Sequence, residues 1–380
     1  MGSVTFVTPG GDLNFPDLRY GCLGCGKSCR VLQVTVSQPE RARLENLQAT
    51  LQRKALHPLR VLGERTQLGR EARGGCVYLE PDAGCAIHRM HGYEDKPQPC
   101  RAFPYLWQDT PDGTFVGLSF LCTAVQAGYG TPLGEHSEIL RALLEDADRP
   151  PPNLEWTPSR RLSWVEYVRL EEHLRQALEP PLEDLRQPPL EPPLEDRLWG
   201  AASSLAAAVP EARHPFPAAG WTAGLGERIH SLFLGLLCLA VAEPDILPEV
   251  FAALREGGSY RSLASGRSVD VRRVESRWQN SPGPWFEPEC RRYLDHLLFR
   301  KFLVGPGTML GKVVLLPLVV RLLRWMCWAG ALAEGRSSPE WDDYSGALDG
   351  VEGRLVTHAR GLEPYLDQIG REFEAGVAPA

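Results

Sequence analysis

Over most of the second half of the chain, apolar side chains recur at three- and four-residue intervals. Between Ser163 and Leu178 they fall at Trp164, Val165, Val168, Leu170, Leu174 and Leu178, the stripe of an amphipathic helix. Comparable periodicity predicts helices near 198–208, 223–242, 244–256, 288–303, 309–334 and 340–372, with few strand signals among them, so this part reads as all-α. The first third is different: turn-rich, with the β-branched run Arg30 to Val36 and the run Thr114 to Leu121 as its two short strand candidates. Between the two runs, Ser37 stands three residues before Glu40, a capping-box pattern that predicts a helix from there to about Leu56. The fold class expected is mainly α: a small irregular cysteine-rich metal-binding domain with one or two short strands, followed by an all-α helical domain.

Two proline-rich stretches divide this pattern. One is Arg149-Pro150-Pro151-Pro152; the other repeats Pro-Pro-Leu-Glu three times between Pro180 and Asp196. Such a tract cannot bury a core and reads as an extended connector. The expected domains are 1–148, a cysteine-cluster domain; 149–198, a connector with one amphipathic helix; and 199–380, a helical domain. Ile229 to Ala242 is too short to cross a membrane, and Met309 to Leu332 is interrupted by Lys312, Arg321 and Arg324, so both read as buried or amphipathic helices.

A chain of 380 residues can bury an adequate core without disulfides, so its ten cysteines need another explanation. Cys238, Cys290 and Cys327 are scattered through apolar helical segments, as packing residues would be. The other seven, Cys22, Cys25, Cys29, Cys76, Cys85, Cys100 and Cys122, fall in the first third. The opening MGSVTFVTPGGDLNF lacks a basic start and an apolar run, so the expected location is cytoplasmic, where disulfides rarely persist and metal ligation is the favoured role. The net charge of −7, with five lysines and no basic block, gives no sign of a nucleic-acid partner, and no membrane partner is expected. The oligomeric state is open.

Cys22-x2-Cys25-x3-Cys29 can turn three thiolates toward one point, with Gly21, Gly24 and Gly26 permitting the turn. Soft thiolates suit an iron–sulfur cluster, a [4Fe-4S] centre first of all, or zinc. Seven thiols exceed one four-ligand site, which leaves open either two sites helped by His88 or His91, or one site with spare thiols. The spacing is the reverse of that in radical enzymes using S-adenosylmethionine, and Gly305 to Lys312 fails as a phosphate loop because Pro306 and Val313 stand where glycine and Ser or Thr are required. Lys96 and Arg101, beside Cys100, are candidate charge-balancing groups, and Tyr78, Tyr105 and Trp107 are candidate walls of a cavity.

The run Cys22-Leu-Gly-Cys25-Gly-Lys-Ser-Cys29, followed by Val34 to Val36 and Ser37-x2-Glu40, resembles the opening of the cysteine-cluster domain family described as zinc- or iron-chelating. Cys76-Val-Tyr-Leu, Gly84-Cys85-Ala-Ile-His88, Pro97-x2-Cys100-Arg101-x-Phe103-Pro104 and Leu118-Ser119-x2-Cys122 resemble the flagellin lysine-N-methylase branch of that family, as does Tyr293-Leu294-x3-Leu298-Phe299-Arg300-Lys301 more loosely. Arg30 stands where the family often has a further cysteine, and Tyr105 where many members have arginine. The resemblance implies S-adenosylmethionine as a cosubstrate and a protein with lysine side chains as substrate. No catalytic or S-adenosylmethionine-binding residue is assigned. The alternative is a non-enzymatic metal- or partner-binding module with a structural cluster.

Overall fold

In the computed structural model the described residues are 4–6, 13–48, 50–51, 57–63, 65–71, 74–82, 84–145, 147, 149–179, 192–208, 223–262, 266–358 and 362–377. They form two compact units, Met1–Pro150 and Pro151–Ala380.

Short elements build the N-terminal unit. Its largest sheet has four strands in the order Val4–Phe6, Leu13–Phe15, Gly113–Leu118, Tyr105–Thr110. Leu13–Phe15 pairs in parallel with Gly113–Leu118, which turns back antiparallel onto Tyr105–Thr110 with Tyr105 opposite Leu118. A three-stranded antiparallel sheet sets Arg65–Leu68 between Thr35–Val36 and Leu59–Leu62. The cysteine-rich unit is therefore richer in strands than its pattern suggests, because most of its strands are too short to display a period. The run from Arg30 is the clearest difference. Arg30 and Val31 close a helix, Lys27–Val31, that starts at Gly26, and only Thr35–Val36 is extended.

The capping box forms as expected. The Ser37 amide and hydroxyl donate to Glu40 Oε2 (2.7 and 2.8 Å) and open the helix Gln38–Gln48. The helix stops there rather than near Leu56; Thr50 and Leu51 are not helical, and 52–56 lie outside the described residues. Leu44 of that helix, Leu51, Val36, Leu68, Val77, Tyr78, Ala86 and Ile87 form one buried cluster, against which Cys76, Cys85 and Cys100 pack.

The second unit is helical, as its period predicts. Ser163 and Glu166 form a reciprocal capping box at the start of Trp164–Leu178. Helices Leu194–Ala208, Trp341–Val351 and Glu363–Val377 pack on Met309–Ala333. Met309–Ala333 is long and apolar enough to cross a membrane, and it is buried as the central helix of this unit. Its two outer arginines are paired: Arg321 and Arg324 both reach the Glu195 carboxylate (2.6 and 3.3 Å). The expected 340–372 helix is split, with a π-turn over Glu352–Val356 between its halves. Two short hairpins, Glu155–Thr157 with Arg160–Arg161 and Ser259–Arg261 with Ser268–Asp270, interrupt the helices. Most of the Pro-Pro-Leu-Glu tract, residues 180–191, lies outside the described residues. Cys238, Cys290 and Cys327 are buried, in keeping with packing roles.

Candidate metal centre

The centre is assembled from three chain segments. The Cys76 N–H donates to Cys29 O (2.9 Å), which ties the first cysteine segment to the second. Arg70 reinforces the tie: its guanidinium donates to Leu32 O (2.8 Å) and to the carbonyls of Arg30 and Gly74. Around Tyr78 the chain folds back on itself, with Leu79 bridged to Cys85 and the Ala86 N–H donating to Tyr78 O (2.9 Å). The third segment is held by Glu40. One of its oxygens serves the capping box, and the other accepts the Gln98 N–H (2.6 Å) at the start of the short helix Gln98–Ala102, which carries Cys100. Burial pushes the Glu40 carboxyl up, but the Ser37 and Gln98 amides more than offset it and hold it below its ordinary range.

Folding thus brings four of the seven predicted cysteines, Cys29, Cys76, Cys85 and Cys100, around one cavity of about 90 Å³. Arg70, Tyr78 and Lys96 also line it. Burial raises the Cys100 thiol, as do its neighbours Cys76, Cys29 and Cys85, while Lys96 opposes them. Cys76 is pushed up to about 11, first by burial and then by Cys29 and Cys85, against the Tyr78 amide and Arg70. Burial likewise raises Cys29, with Cys85 and Cys22 adding to it and Lys96 and Ser28 opposing. The common cause is negative charge crowded in a partly dry space. Protons relieve it, and so would a cation bound by the thiolates.

The other three predicted cysteines do not line this cavity. Cys22 and Cys25 are exposed and Cys122 is partly buried. They neighbour one another: burial raises the Cys122 thiol, the Val125 and Ala124 amides lower it, and Cys25 and Cys22 raise it further. Gly24 and Gly26, at φ 63° and 66°, take the left-handed backbone that the Cys22–Cys29 turn requires, and the Gly24 N–H faces Cys22 Sγ at 3.4 Å. Among the described residues, no three His, Cys, Asp or Glu side chains are gathered closely enough to hold a single ion.

The histidines stand apart. His88 is exposed and packs edge-on to Tyr93, and His91 Nε2 meets Thr50 Oγ1 at 3.0 Å. Of the two candidate cations, Lys96 lines the cavity, whereas Arg101 pairs with Glu94 (2.7 Å). Of the three candidate aromatic walls, only Tyr78 takes that place; the Tyr105 hydroxyl bonds His136 Nδ1 (2.7 Å) instead. Sequence reasoning missed Arg70 and the second role of Glu40, since both act on backbone groups remote in sequence and leave no local signal.

Soft donors converging on one cavity are the chemistry of a thiophilic metal centre. Residues 21–119 match the CxxCxxCC family model, described as "Putative zinc- or iron-chelating domain", and the chain carries this domain in its N-terminal unit. No curated protein and no solved structure matches the chain.

Proposed function

We propose that Cys29, Cys76, Cys85 and Cys100 hold a [4Fe-4S] cluster. The observation that carries this reading is the cavity of about 90 Å³ that the four thiols line. A single zinc ion draws four thiolates to about 2.3 Å around one point, and among the described residues no three such ligand side chains are gathered that closely. A four-iron cluster takes the same four cysteine ligands but needs room for its own iron and sulfide atoms. Lys96 and Arg70 offset part of its negative charge. The chain on this reading is cytoplasmic, where its thiols stay reduced.

The activity we attach to this centre is methyl transfer from S-adenosylmethionine to lysines of a protein substrate, and the order and spacing of the cysteine segments support it by resemblance. The lysine amine, deprotonated, attacks the sulfonium methyl; a C–N bond forms, the C–S bond breaks, S-adenosylhomocysteine leaves and the nitrogen sheds its proton. A second reading, a structural cluster in a non-enzymatic module, is favoured by one observation: Cys76, Cys85 and Cys100 pack directly on the unit's apolar core.

The test begins with purification of the full chain without oxygen. Iron and acid-labile sulfide in equal amounts, with broad visible absorption, are expected; stoichiometric zinc without sulfide would overturn the cluster. Incubation of the loaded protein with S-adenosylmethionine and lysine-bearing proteins should add the mass of methyl groups. No gain in mass across such substrates would leave the structural reading.

A further inference from the structure

Tyr78 has a feature that packing does not explain. The residue is 2% exposed and its ring belongs to the apolar cluster. Its hydroxyl is also buried, and among the described residues it has no hydrogen-bond partner. An unpaired buried hydroxyl costs about 1–3 kcal/mol, and phenylalanine would fill the same space without that cost. The residue lines the cavity of the four thiols. Its main chain belongs to the same loop, with the Tyr78 amide donating to the Cys76 sulfur and its carbonyl accepting the N–H of Ala86, the residue after Cys85. The side chain is thereby held between two of the four cysteines. The cavity offers it sulfur as an acceptor once a metal group is bound.

We infer that the Tyr78 hydroxyl donates a hydrogen bond to a sulfur atom, thiolate or sulfide, of the metal group held by Cys29, Cys76, Cys85 and Cys100, and so tunes that centre. The inference rests on the metal centre proposed above. A donor to sulfur stabilises the more negative state of a cluster, so it raises the reduction potential and slows loss of the metal.

The test compares the full-length wild type with Tyr78→Phe, each prepared as apo-protein and after anaerobic loading. In the apo-proteins the hydroxyl has nothing to bond, so Y78F should unfold at the same temperature as the wild type or higher. Loaded Y78F should show a reduced-to-oxidised equilibrium shifted about tenfold toward the oxidised cluster, a midpoint potential about 59 mV lower for one electron. Release of iron to a chelator should be several-fold faster. Failure of Y78F to load at all, with apo stability intact, would support the same bond. Equal potentials and equal release rates would overturn the inference, as would a destabilised Y78F apo-protein, which would assign the hydroxyl a partner within the protein. If the wild type takes up zinc and no sulfide, the cluster reading fails by itself, and the same pair then judges Tyr78 by the rate of zinc release. Equal zinc release rates would overturn it.

Discussion

A thiolate buried beside other thiolates is stable only with a cation to share, and this separates the seven clustered cysteines by what each should do to metal retention. Cys29, Cys76, Cys85 and Cys100 face one cavity, whereas Cys22 and Cys25 are open to water. Serine at any of the first four, in the full chain, should accelerate metal loss to a chelator by at least the roughly tenfold that losing even an outer-shell partner costs. Cys22→Ser and Cys25→Ser should retain metal close to the wild-type level, with iron, sulfide and zinc content as the readout. The reverse pattern would move the centre to the Cys22–Cys29 turn. At this scale the sequence displayed the constellation but not its partition. Cys29 and Cys76 meet through a backbone hydrogen bond between residues 47 apart, a pairing that no local spacing encodes. The short spacing of Cys22, Cys25 and Cys29 made the first cluster look self-sufficient. Yet the left-handed turn at Gly26 starts a helix that carries Cys29 toward the later segments, leaving Cys22 and Cys25 at the surface.

Among elements, the helices were legible because their apolar stripes run for several turns, while the strands of the first unit, most of them two to four residues long, are shorter than the pattern needed to see them. Helix packing was not legible either, because it depends on where small residues face. Gly311 shows this. A Cβ built there would stand 2.0 Å from the Leu366 carbonyl oxygen, so Met309–Ala333 and Glu363–Val377 meet backbone to backbone at this point. Gly311→Ala should destabilise the helical unit by about 1–3 kcal/mol, the ordinary range for overpacking, read as a lower urea midpoint; an unchanged midpoint would mean that the two helices separate at little cost. Lys312, next in the same helix, supplies a pH dependence. Its ammonium is buried and donates to Leu303 O (3.1 Å) and Gly305 O (2.6 Å). Burial lowers its pKa to about 7, against the opposite pull of Glu363 and Asp367 and with the help of Arg300. Between about 7 and the ordinary lysine value of about 10.4 the unfolded chain binds the extra proton. Stability from this group is therefore complete above the unfolded value and lost as pH falls toward about 7, with a slope of up to about 1.4 kcal/mol per pH unit. Urea midpoints taken at about pH 7 and pH 8.5 should rise with pH, and Lys312→Met should flatten the rise.

For the whole molecule, the division into Met1–Pro150 and Pro151–Ala380 determines what metal can stabilise. All four cavity thiols and the apolar cluster beneath them belong to the first unit, whereas the core around Met309–Ala333 belongs to the second. Metal that binds only the folded first unit adds about 4 kcal/mol of stability when free metal exceeds the dissociation constant a thousandfold. For a unit of this size, that is a rise of about 10 °C in its midpoint. Calorimetry of the full chain should therefore show two transitions, of which only one moves when the metal is chelated. Far-ultraviolet circular dichroism should lose little helical signal at the transition that moves, because the long helices are in the second unit. A single transition that moves as a whole would show the two cores unfolding together. The centre would then stabilise the helices as well as the loops that hold it, and a chelator would become a means of unfolding the entire chain.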